Sequence, residues 1–327
     1  MPLQKPISEA QDLDIPDSWV RTASALLAEG RTRVMVAGGA DRGKSSFCRY
    51  LAARALEMGK RVAFLDTDVG QKDIGPPAAL TLKLLHPTHP AAEAPDGFYF
   101  VGSVSPRGHF LPIATGSEAL LRGNGQDIAI VNTDGLVRGP GRVLRHYQTE
   151  ALAPDTLVAI EREGEQGTIP VHTGIRIRRL SPAPAARERT SDQRRAARLG
   201  AFRQYFSEAR RSALDLDLEH LRMERCLLFT GVPVEPHGFL YAEDTVEGRV
   251  VVGNRALPDP GTKRIPAGFE RGLLCGMLDT EGTCVGLGVL EHLDFRARKL
   301  LLRSRWRERS YGACSSGTSI SIPRGES

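Results

Sequence analysis

The sequence predicts an α/β fold in which helices flank a mostly parallel sheet, followed by a small C-terminal all-β domain. Two apolar runs without alternation, RVMVA at 33–37 and RVAFL at 61–65, lie on either side of a helical pattern at 44–58. This arrangement is typical of a parallel β-α-β unit covered on both faces. From about Cys226 onward, short β-rich runs separated by Gly and Pro replace the helical periodicity.

A short amphipathic helix is predicted at 17–28, before the first strand. Its apolar residues recur at helical spacing: Trp19, Ala23, Leu26 and Leu27. We expect an Asp or Ser to cap its start and Gly30 to end it. Three further apolar runs, at 98–101, 128–131 and 157–160, are predicted to be strands of the same sheet.

A basic helix is predicted after the linker SPAPAA at 181–186. Thr190 and Gln193 form a capping-box pattern that opens this helix, which we expect to run to about Ala213. Residues 176–203 hold nine arginines against two acids. This density favours a polyanionic partner, although a solvated charged face is the alternative.

Composition excludes several classes of protein. No apolar run approaches the roughly 20 residues that a membrane span requires. The first sixteen residues lack the basic and then apolar layout of a secretory signal, so we expect a cytoplasmic protein. The five cysteines are scattered without a CxxC pair, which argues against a zinc site or a disulfide framework.

A glycine-rich turn between the first strand and its helix matches GxxxxGK[ST]. Backbone N–H groups of such a turn surround the phosphates of a nucleotide, and only glycines allow so close an approach. We expect Lys44 to bridge the β- and γ-phosphates and Ser45 to bind Mg²⁺. The predicted nucleotide-binding residues are Gly38, Gly39, Ala40, Asp41, Arg42, Gly43, Lys44, Ser45 and Ser46.

Two carboxylates follow the second strand, in the segment DTDVGQ at 66–71. Ligands bind at the carboxyl edge of an open α/β sheet, which is where Asp66 and Asp68 are expected. One carboxylate can hold a magnesium-bound water while the other accepts a proton, and Gln71 can orient either partner. The sequence contains no N/TKxD loop for guanine, since TKRI at 262–265 lacks the aspartate, so ATP is the expected nucleotide.

These residues together resemble the polynucleotide 5′-hydroxyl kinase family. The segment DTDVGQ followed by Pro76-Pro77 resembles the DxDxGQ…PP pattern of that family. GSVSP at 102–106 is similar to its glycine/serine loop, and NTDGLVRG at 132–139 resembles its NTxGWxxG. RRAARLGAFRQYF at 194–206 resembles its arginine-bearing lid helix, and residues 272–290 are similar to its C-terminal β domain.

The resemblance implies a role for each matching residue. Asp68 would be the general base and Asp66 would support Mg²⁺, while Arg194 and Arg198 would clamp the transferred phosphoryl group and Arg195 could replace either. Their spacing of four residues puts Arg194 and Arg198 on one helical face. The expected substrate-binding residues are Gln71, Ser103, Ser105, Thr133, Asp134 and Arg195.

The chain departs from this family at three points. Leu136 stands where the family usually has a tryptophan thought to stack on the terminal base, which predicts weaker or differently arranged nucleic-acid binding. Only about 30 residues precede the first predicted strand in the sequence, so we expect this chain to lack the large N-terminal domain of some members. Asp134 adds an acid that is either a further magnesium-water ligand or a loop residue.

The resemblance defines three regions of the chain. Residues 1–30 form a helical extension, 31–222 a P-loop kinase domain with its basic lid helix at about 190–213, and 223–327 a β-rich domain. The leading hypothesis is an ATP- and Mg²⁺-dependent kinase of the 5′-hydroxyl end of RNA, or of DNA. The alternatives are an ATPase switch or scaffold of a nucleic-acid-processing assembly and a kinase of a small hydroxylated metabolite.

Overall fold

The computed structural model describes residues 15–88, 94–123, 125–169, 173–207, 213–256 and 259–305, and the backbone of 318–321. The chain divides into two compact units, Met1–Gln204 and Tyr205–Ser327.

The first unit is a sheet with helices on its two faces. Its strands are β1 (Thr32–Gly38), β2 (Val62–Asp66), β3 (Ala79–Leu85), β4 (Gly97–Phe100), β5 (Ile128–Asn132), β6 (Thr156–Ile160) and β7 (Arg176–Leu180). Its helices are α1 (Asp17–Ala28), α2 (Lys44–Glu57), α3 (Phe110–Leu121), α4 (Pro140–Leu152) and α5 (Ser191–Phe206). The last two residues of α5 are counted with the second unit. The strand order is β7-β6-β1-β5-β2-β3-β4.

The centre of this sheet is parallel. Strand β1 pairs in parallel with β5 and β6, β5 pairs with β2, and β6 pairs with β7. Strands β3 and β4 are antiparallel to their neighbours. The predicted α/β class with a mostly parallel sheet is confirmed, as are the predicted strands corresponding to β1, β2, β4, β5 and β6.

Both faces of β1 are buried, which explains its lack of alternation. Val34 and Val36 belong to the apolar cluster on one face, together with residues of α1 and α2. Met35 and Ala37 belong to the cluster on the other face, together with residues of α3 and α4. All four side chains are fully buried.

Helix α1 is an integral part of the first unit. The ring of Trp19 packs edge-on against Phe47, with centroids 5.3 Å apart. Its indole nitrogen donates to the carbonyl oxygen of Ser181 at 2.9 Å. The predicted extent of this helix is confirmed, but the predicted Asp or Ser cap is wrong, because Pro16 is the N-cap residue.

The second unit consists mainly of strands, as predicted. They are β8 (Ala213–Asp217), β9 (Leu221–Glu224), β10 (Val232–Pro233), β11 (Tyr241–Thr245), β12 (Gly248–Val252), β13 (Lys263–Ile265), β14 (Leu274–Leu278), β15 (Cys284–Asp294), β16 (Lys299–Ser304) and β17 (Thr318–Ser321). One group pairs in the order β8-β16-β15-β14-β17-β9 and the other in the order β10-β11-β12-β13.

Helix α5 is shorter than the sequence predicted. It ends at Phe206, and Ala213, the expected end of the helix, begins strand β8. In β8 the side chains of Leu214 and Leu216 are buried between exposed neighbours, which is the two-residue period of a strand and not a helical pattern. Strand β8 pairs with β16 and β9 with β17, so residues expected to close the first domain belong to the second unit.

Two observations concern membranes and thiols. None of the helices in the described part of the chain combines the length and the apolar character needed to cross a bilayer. Cys48, Cys226, Cys275 and Cys284 are buried and are not joined in disulfides within the described residues. Cys314 lies outside the described residues.

Candidate phosphoryl-transfer site

The glycine-rich turn connects β1 to α2 in the geometry that the motif predicts. A Cβ atom on Gly38 would lie 2.3 Å from the carbonyl oxygen of Ile160, so only glycine fits there. Gly43 has a φ of +90°, which glycine adopts without strain, and it precedes the first residue of α2. The N-terminus of α2 therefore points its free N–H groups toward the turn.

Lys44 is buried inside this turn. The residue is 7% exposed, and its Nζ donates to the carbonyl oxygen of Gly39 at 2.8 Å. Burial lowers the pKa of Lys44, although the nearby charges of Asp68 and Asp134 act in the opposite direction. The ammonium group thus lies inside the turn and is influenced by the charges of two carboxylates.

A cavity of about 720 Å³ opens beside the turn. Its lining includes the turn residues from Ala40 to Ser46, the acids Asp68 and Asp134, and the lid arginines Arg194 and Arg198. Gln71, Ser105 and Leu136 also line it. The fold thus brings most of the predicted site residues to one cavity, although they come from separate segments of the chain.

Asp68 is one of the acids that line this cavity. It is half-buried, and its Oδ1 accepts hydrogen bonds from the backbone N–H groups of Gly70 at 2.9 Å and Gln71 at 2.8 Å. Burial, reinforced by the charges of Asp134 and Asp66, raises the pKa of Asp68 to about 6. A carboxylate with this pKa is suited to accept a proton near neutral pH.

Asp66 is held by the protein itself. It is fully buried, and its Oδ2 accepts from the backbone N–H groups of Asp73 at 2.7 Å and Ile74 at 3.2 Å. Nζ of Lys72 lies 3.5 Å from the same oxygen and donates to the Asp66 carbonyl oxygen at 2.8 Å. Asp66 is not among the residues that line the cavity.

Asn132 connects Asp66 to the turn. Its side-chain Nδ2 donates to the hydroxyl oxygen of Ser45 at 3.1 Å and to Oδ1 of Asp66 at 3.4 Å. Asn132 is the last residue of β5, and β5 lies between β1 and β2. The amide of Asn132 therefore links the carboxylate of Asp66 to the hydroxyl of Ser45, which is the group expected to bind Mg²⁺.

Asp134 forms a buried ion pair. Its Oδ2 accepts from Nη2 of the fully buried Arg145, and its Oδ1 accepts from the backbone N–H of Leu136 at 2.7 Å. The neighbouring Thr133 is fully buried, and its hydroxyl donates to the carbonyl oxygen of Val36 at 2.9 Å. These contacts give Thr133 and Asp134 a part in shaping the loop around the cavity.

The remaining predicted residues differ in their position. Gln71 donates through Nε2 to the carbonyl oxygen of Arg194 at 3.2 Å, which joins the acid-bearing loop to α5. Ser103 accepts from the backbone N–H of Ser105 at 3.1 Å, and only Ser105 of the two lines the cavity. Arg195 is exposed and does not line the cavity, unlike Arg194 and Arg198.

The oxygen atoms that line the cavity suit a Mg²⁺ ion that is bound partly by the nucleotide, and not a metal ion that is bound by protein ligands alone. In the described part of the chain, no group of three His, Cys, Asp or Glu residues could hold a metal ion. Mg²⁺ usually keeps several waters and takes few protein ligands together with phosphate oxygens. The hydroxyl of Ser45 and the carboxylate of Asp68 line the cavity and match that chemistry.

Three residues of the site were not predicted: Lys72, Asn132 and Arg145. Asn132 begins the segment NTDG at the end of a strand, so its position gave a signal. Lys72 directly follows Gln71 but has no motif of its own. Arg145 has no local signal, since its partner Asp134 becomes adjacent only when α4 packs on the sheet.

Gly135→Ala tests the contact between the Asp134 loop and the turn. A Cβ atom on Gly135 would lie 2.7 Å from the backbone nitrogen of Ala40, so the turn must move. We expect the affinity for ADP, measured by calorimetry, to fall by on the order of tenfold to a hundredfold, because small displacements of a positioned site are costly.

Gly125→Ala is the matched control for that substitution. No atom lies within 4 Å of a Cβ built there, so this variant should bind ADP like the wild type. Unchanged ADP affinity in Gly135→Ala would show that the turn tolerates the displacement and would contradict the expectation.

Comparison with known proteins places this site in a family. A polyribonucleotide 5′-hydroxyl-kinase of Pyrococcus horikoshii is 29% identical over 295 residues, covering 82% of this chain and 79% of that protein. One of Methanocaldococcus jannaschii is 27% identical over 317 residues, covering 88% and 86%. The structure of the wild-type Clp1p–Pcf11p complex shares the fold, with a TM-score of 0.62 at 13% identity over 94% of this chain and 79% of that chain.

A family model, described as the mRNA cleavage and polyadenylation factor CLP1 P-loop, matches residues 38–208. This range includes the glycine-rich turn, the acids and all of α5. The resemblance stated from the sequence is thereby confirmed. Since the matched residues make up more than half of the chain, the protein belongs to the CLP1 P-loop family.

Proposed function

We propose that this protein is an ATP-dependent polynucleotide kinase that transfers the γ-phosphate of ATP to the 5′-hydroxyl end of RNA. The observation that carries the proposal is the placement of Asp68 in the same cavity as Lys44 and the lid arginines. Phosphoryl transfer to an alcohol needs a general base, a loop that binds the phosphates, and cations that neutralise the charge of the transferred group. The relatives named polyribonucleotide 5′-hydroxyl-kinases support the same conclusion.

The site residues divide the chemistry between them. The 5′-oxygen forms a bond to the γ-phosphorus while the bond from that phosphorus to the β–γ bridging oxygen breaks, and ADP leaves. Asp68 accepts the hydroxyl proton as the oxygen attacks. Lys44, Arg194 and Arg198 neutralise charge on the phosphoryl oxygens. Mg²⁺, when bound through Ser45 and a carboxylate or its water, would supply further positive charge.

An RNA end suits the lining of the cavity. Arg107, Arg187 and Arg189 line it in addition to the two lid arginines, so a polyanionic substrate meets several guanidinium groups. Leu136 also lines it, and an aliphatic side chain there offers less stacking to a terminal base than an aromatic one. We therefore expect the phosphates to contribute more than the terminal base to substrate affinity.

A labelling assay tests the proposal. The protein is incubated with γ-labelled ATP, Mg²⁺ and matched RNA or DNA oligonucleotides that carry either a 5′-hydroxyl or a 5′-phosphate. We expect label on the 5′-hydroxyl RNA and none on the 5′-phosphate controls. Competition by excess nucleoside or sugar would favour a metabolite kinase. ATP hydrolysis without any labelling would favour an ATPase switch, and either result would overturn the proposal.

The pH dependence of labelling should follow the carboxyl group of Asp68. Burial and neighbouring acids raise its pKa to about 6, and only its deprotonated form can act as a base. The rate at saturating ATP should therefore be flat above this pKa and fall by about tenfold for each pH unit below it. A rate that stays flat down to pH 5 would assign the base to another group.

A further inference from the structure

Asp41, a side chain of the glycine-rich turn, is joined to the lid. Its Oδ2 accepts from Nη1 of Arg194 at 2.8 Å and from the backbone N–H of Arg189 at 3.1 Å. Its Oδ1 accepts from Nε of Arg189 at 3.0 Å. Arg194, one of the two lid arginines that line the cavity, is thus held by a residue of the glycine-rich turn.

This contact differs from an ordinary surface ion pair. The side chain of Asp41 is only 5% exposed, whereas that of Arg194 is 34% exposed. Burial alone would raise the pKa of Asp41, but the hydrogen bonds and charges of Arg189 and Arg194 outweigh it and lower the pKa. The carboxylate is therefore charged at neutral pH and largely shielded from water.

The guanidinium of Arg194 keeps donors for a ligand. An arginine side chain carries five N–H donors, and the contact with Asp41 goes to Nη1. Arg194 also lines the cavity beside Lys44 and Ser45. Its other N–H groups can therefore meet a terminal phosphate while Nη1 remains on Asp41.

We propose that Asp41 is a positioning residue, whose carboxylate holds the guanidinium of Arg194 where it contacts the γ-phosphate and so favours a nucleoside triphosphate over a diphosphate. The proposal rests on the proposed function, because it assigns the γ-phosphate to this part of the cavity. A second turn residue, Arg42, binds Glu165 at 2.8 Å and Glu188 at 3.2 Å and anchors the approach to α5. Only Asp41 of the two contacts an arginine that lines the cavity.

Asp41→Asn separates this role from a purely structural one. Asp41 has a φ of +57°, which Asn tolerates better than most residues, and the Asn oxygen can still accept from the backbone of Arg189. The substitution therefore removes the charge that holds Arg194 and retains the shape of the turn. Arg194→Gln removes the positive charge of the same ion pair, at the partner that is more exposed to solvent.

Equilibrium binding of ADP and of the non-hydrolysable analogue adenylyl-imidodiphosphate is measured by calorimetry for the wild type, both single variants and the double variant. We expect each single substitution to reduce the preference for the triphosphate by about tenfold, the scale of one charged hydrogen bond. ADP affinity should stay within about twofold, and the double variant should lose no more than either single one.

Three results would overturn the proposal. The first is an equal loss of affinity for both nucleotides in Asp41→Asn. The second is a double variant in which the losses of triphosphate preference of the two single variants add. The third is a wild-type protein that binds both nucleotides with equal affinity. Asp127→Asn is the control, since Asp127 pairs with Arg61 outside the cavity. These measurements need no acceptor, so they remain informative if no oligonucleotide is labelled, and that second result would overturn the kinase assignment alone.

Discussion

Lys44→Ala is expected to reduce oligonucleotide labelling by at least about 10²- to 10³-fold, the loss seen when one charge-stabilising donor is removed from a preorganised site. Nζ of Lys44 lies inside the turn, 2.8 Å from the carbonyl oxygen of Gly39, so no other ammonium group of this loop can take its place. Its positive charge therefore lies in the turn where the phosphates of the nucleotide are expected to bind. The measurement is the initial rate of transfer from γ-labelled ATP at saturating RNA.

Lys60→Ala controls for the loss of a lysine from the same unit. Nζ of Lys60 donates to the carbonyl oxygen of Glu29 at 3.2 Å, and Lys60 does not line the cavity. This variant should label RNA at the wild-type rate. A Lys44→Ala protein that retains more than about a tenth of the wild-type rate would contradict the assignment of Lys44 to the transition state.

The parts of the fold that could be predicted were those with strong local signals. Strand β1, helix α2 and strand β2 were recognised because a glycine-rich turn separates two apolar runs at the spacing of a β-α-β unit. Because both faces of β1 are buried, its polar and apolar residues do not alternate, and this continuous apolar run indicates a central strand of a parallel sheet. The class of fold followed from these elements.

The elements that were missed have weak local signals and depend on tertiary packing. Helix α3 contains Gly116 in its interior, which weakens the helical pattern in the sequence. It also contains Pro112, which a helix tolerates only because this residue lies in the first turn. A Cβ atom on Gly116 would lie 2.4 Å from the ring of Tyr99, so packing against β4 requires the glycine there. Strand β7 has the sequence RIRRL, which pairs with β6 at an edge of the parallel sheet and was read only as a basic stretch.

In the candidate site too, residues with a local sequence motif could be predicted and contacts that depend on tertiary packing could not. Asp68, Lys44 and the lid arginines were predicted because motifs fix their type and spacing. The contacts of Asp66 with Lys72 and of Asp134 with Arg145 could not be predicted, since opposite charges pair in a buried site only when the fold brings them together. The link from Asp41 to Arg194 spans 153 positions of the chain, and no local pattern reports it.

Asp68→Asn is expected to reduce labelling by about 10²- to 10⁴-fold, because an amide has the shape of the carboxyl group but cannot accept the hydroxyl proton. The Asn oxygen can still accept from the backbone N–H groups of Gly70 and Gln71, so the loop should keep its conformation. Removing a negative charge from the phosphate cavity should leave the affinity for the triphosphate unchanged or raise it. The loss should therefore appear in kcat and not in the KM for ATP.

The pH profile distinguishes a lost base from a lost magnesium ligand. If Asp68 is the base, the residual rate of Asp68→Asn should no longer fall below about pH 6, because the group responsible for that decline is gone. If Asp68 mainly binds Mg²⁺, the variant should regain activity as Mg²⁺ is increased and should keep the acid decline. If added Mg²⁺ restores the labelling rate of Asp68→Asn, Asp68 is not the proton acceptor. The roles assigned to the glycine-rich turn and to Lys44 would be unaffected by that result.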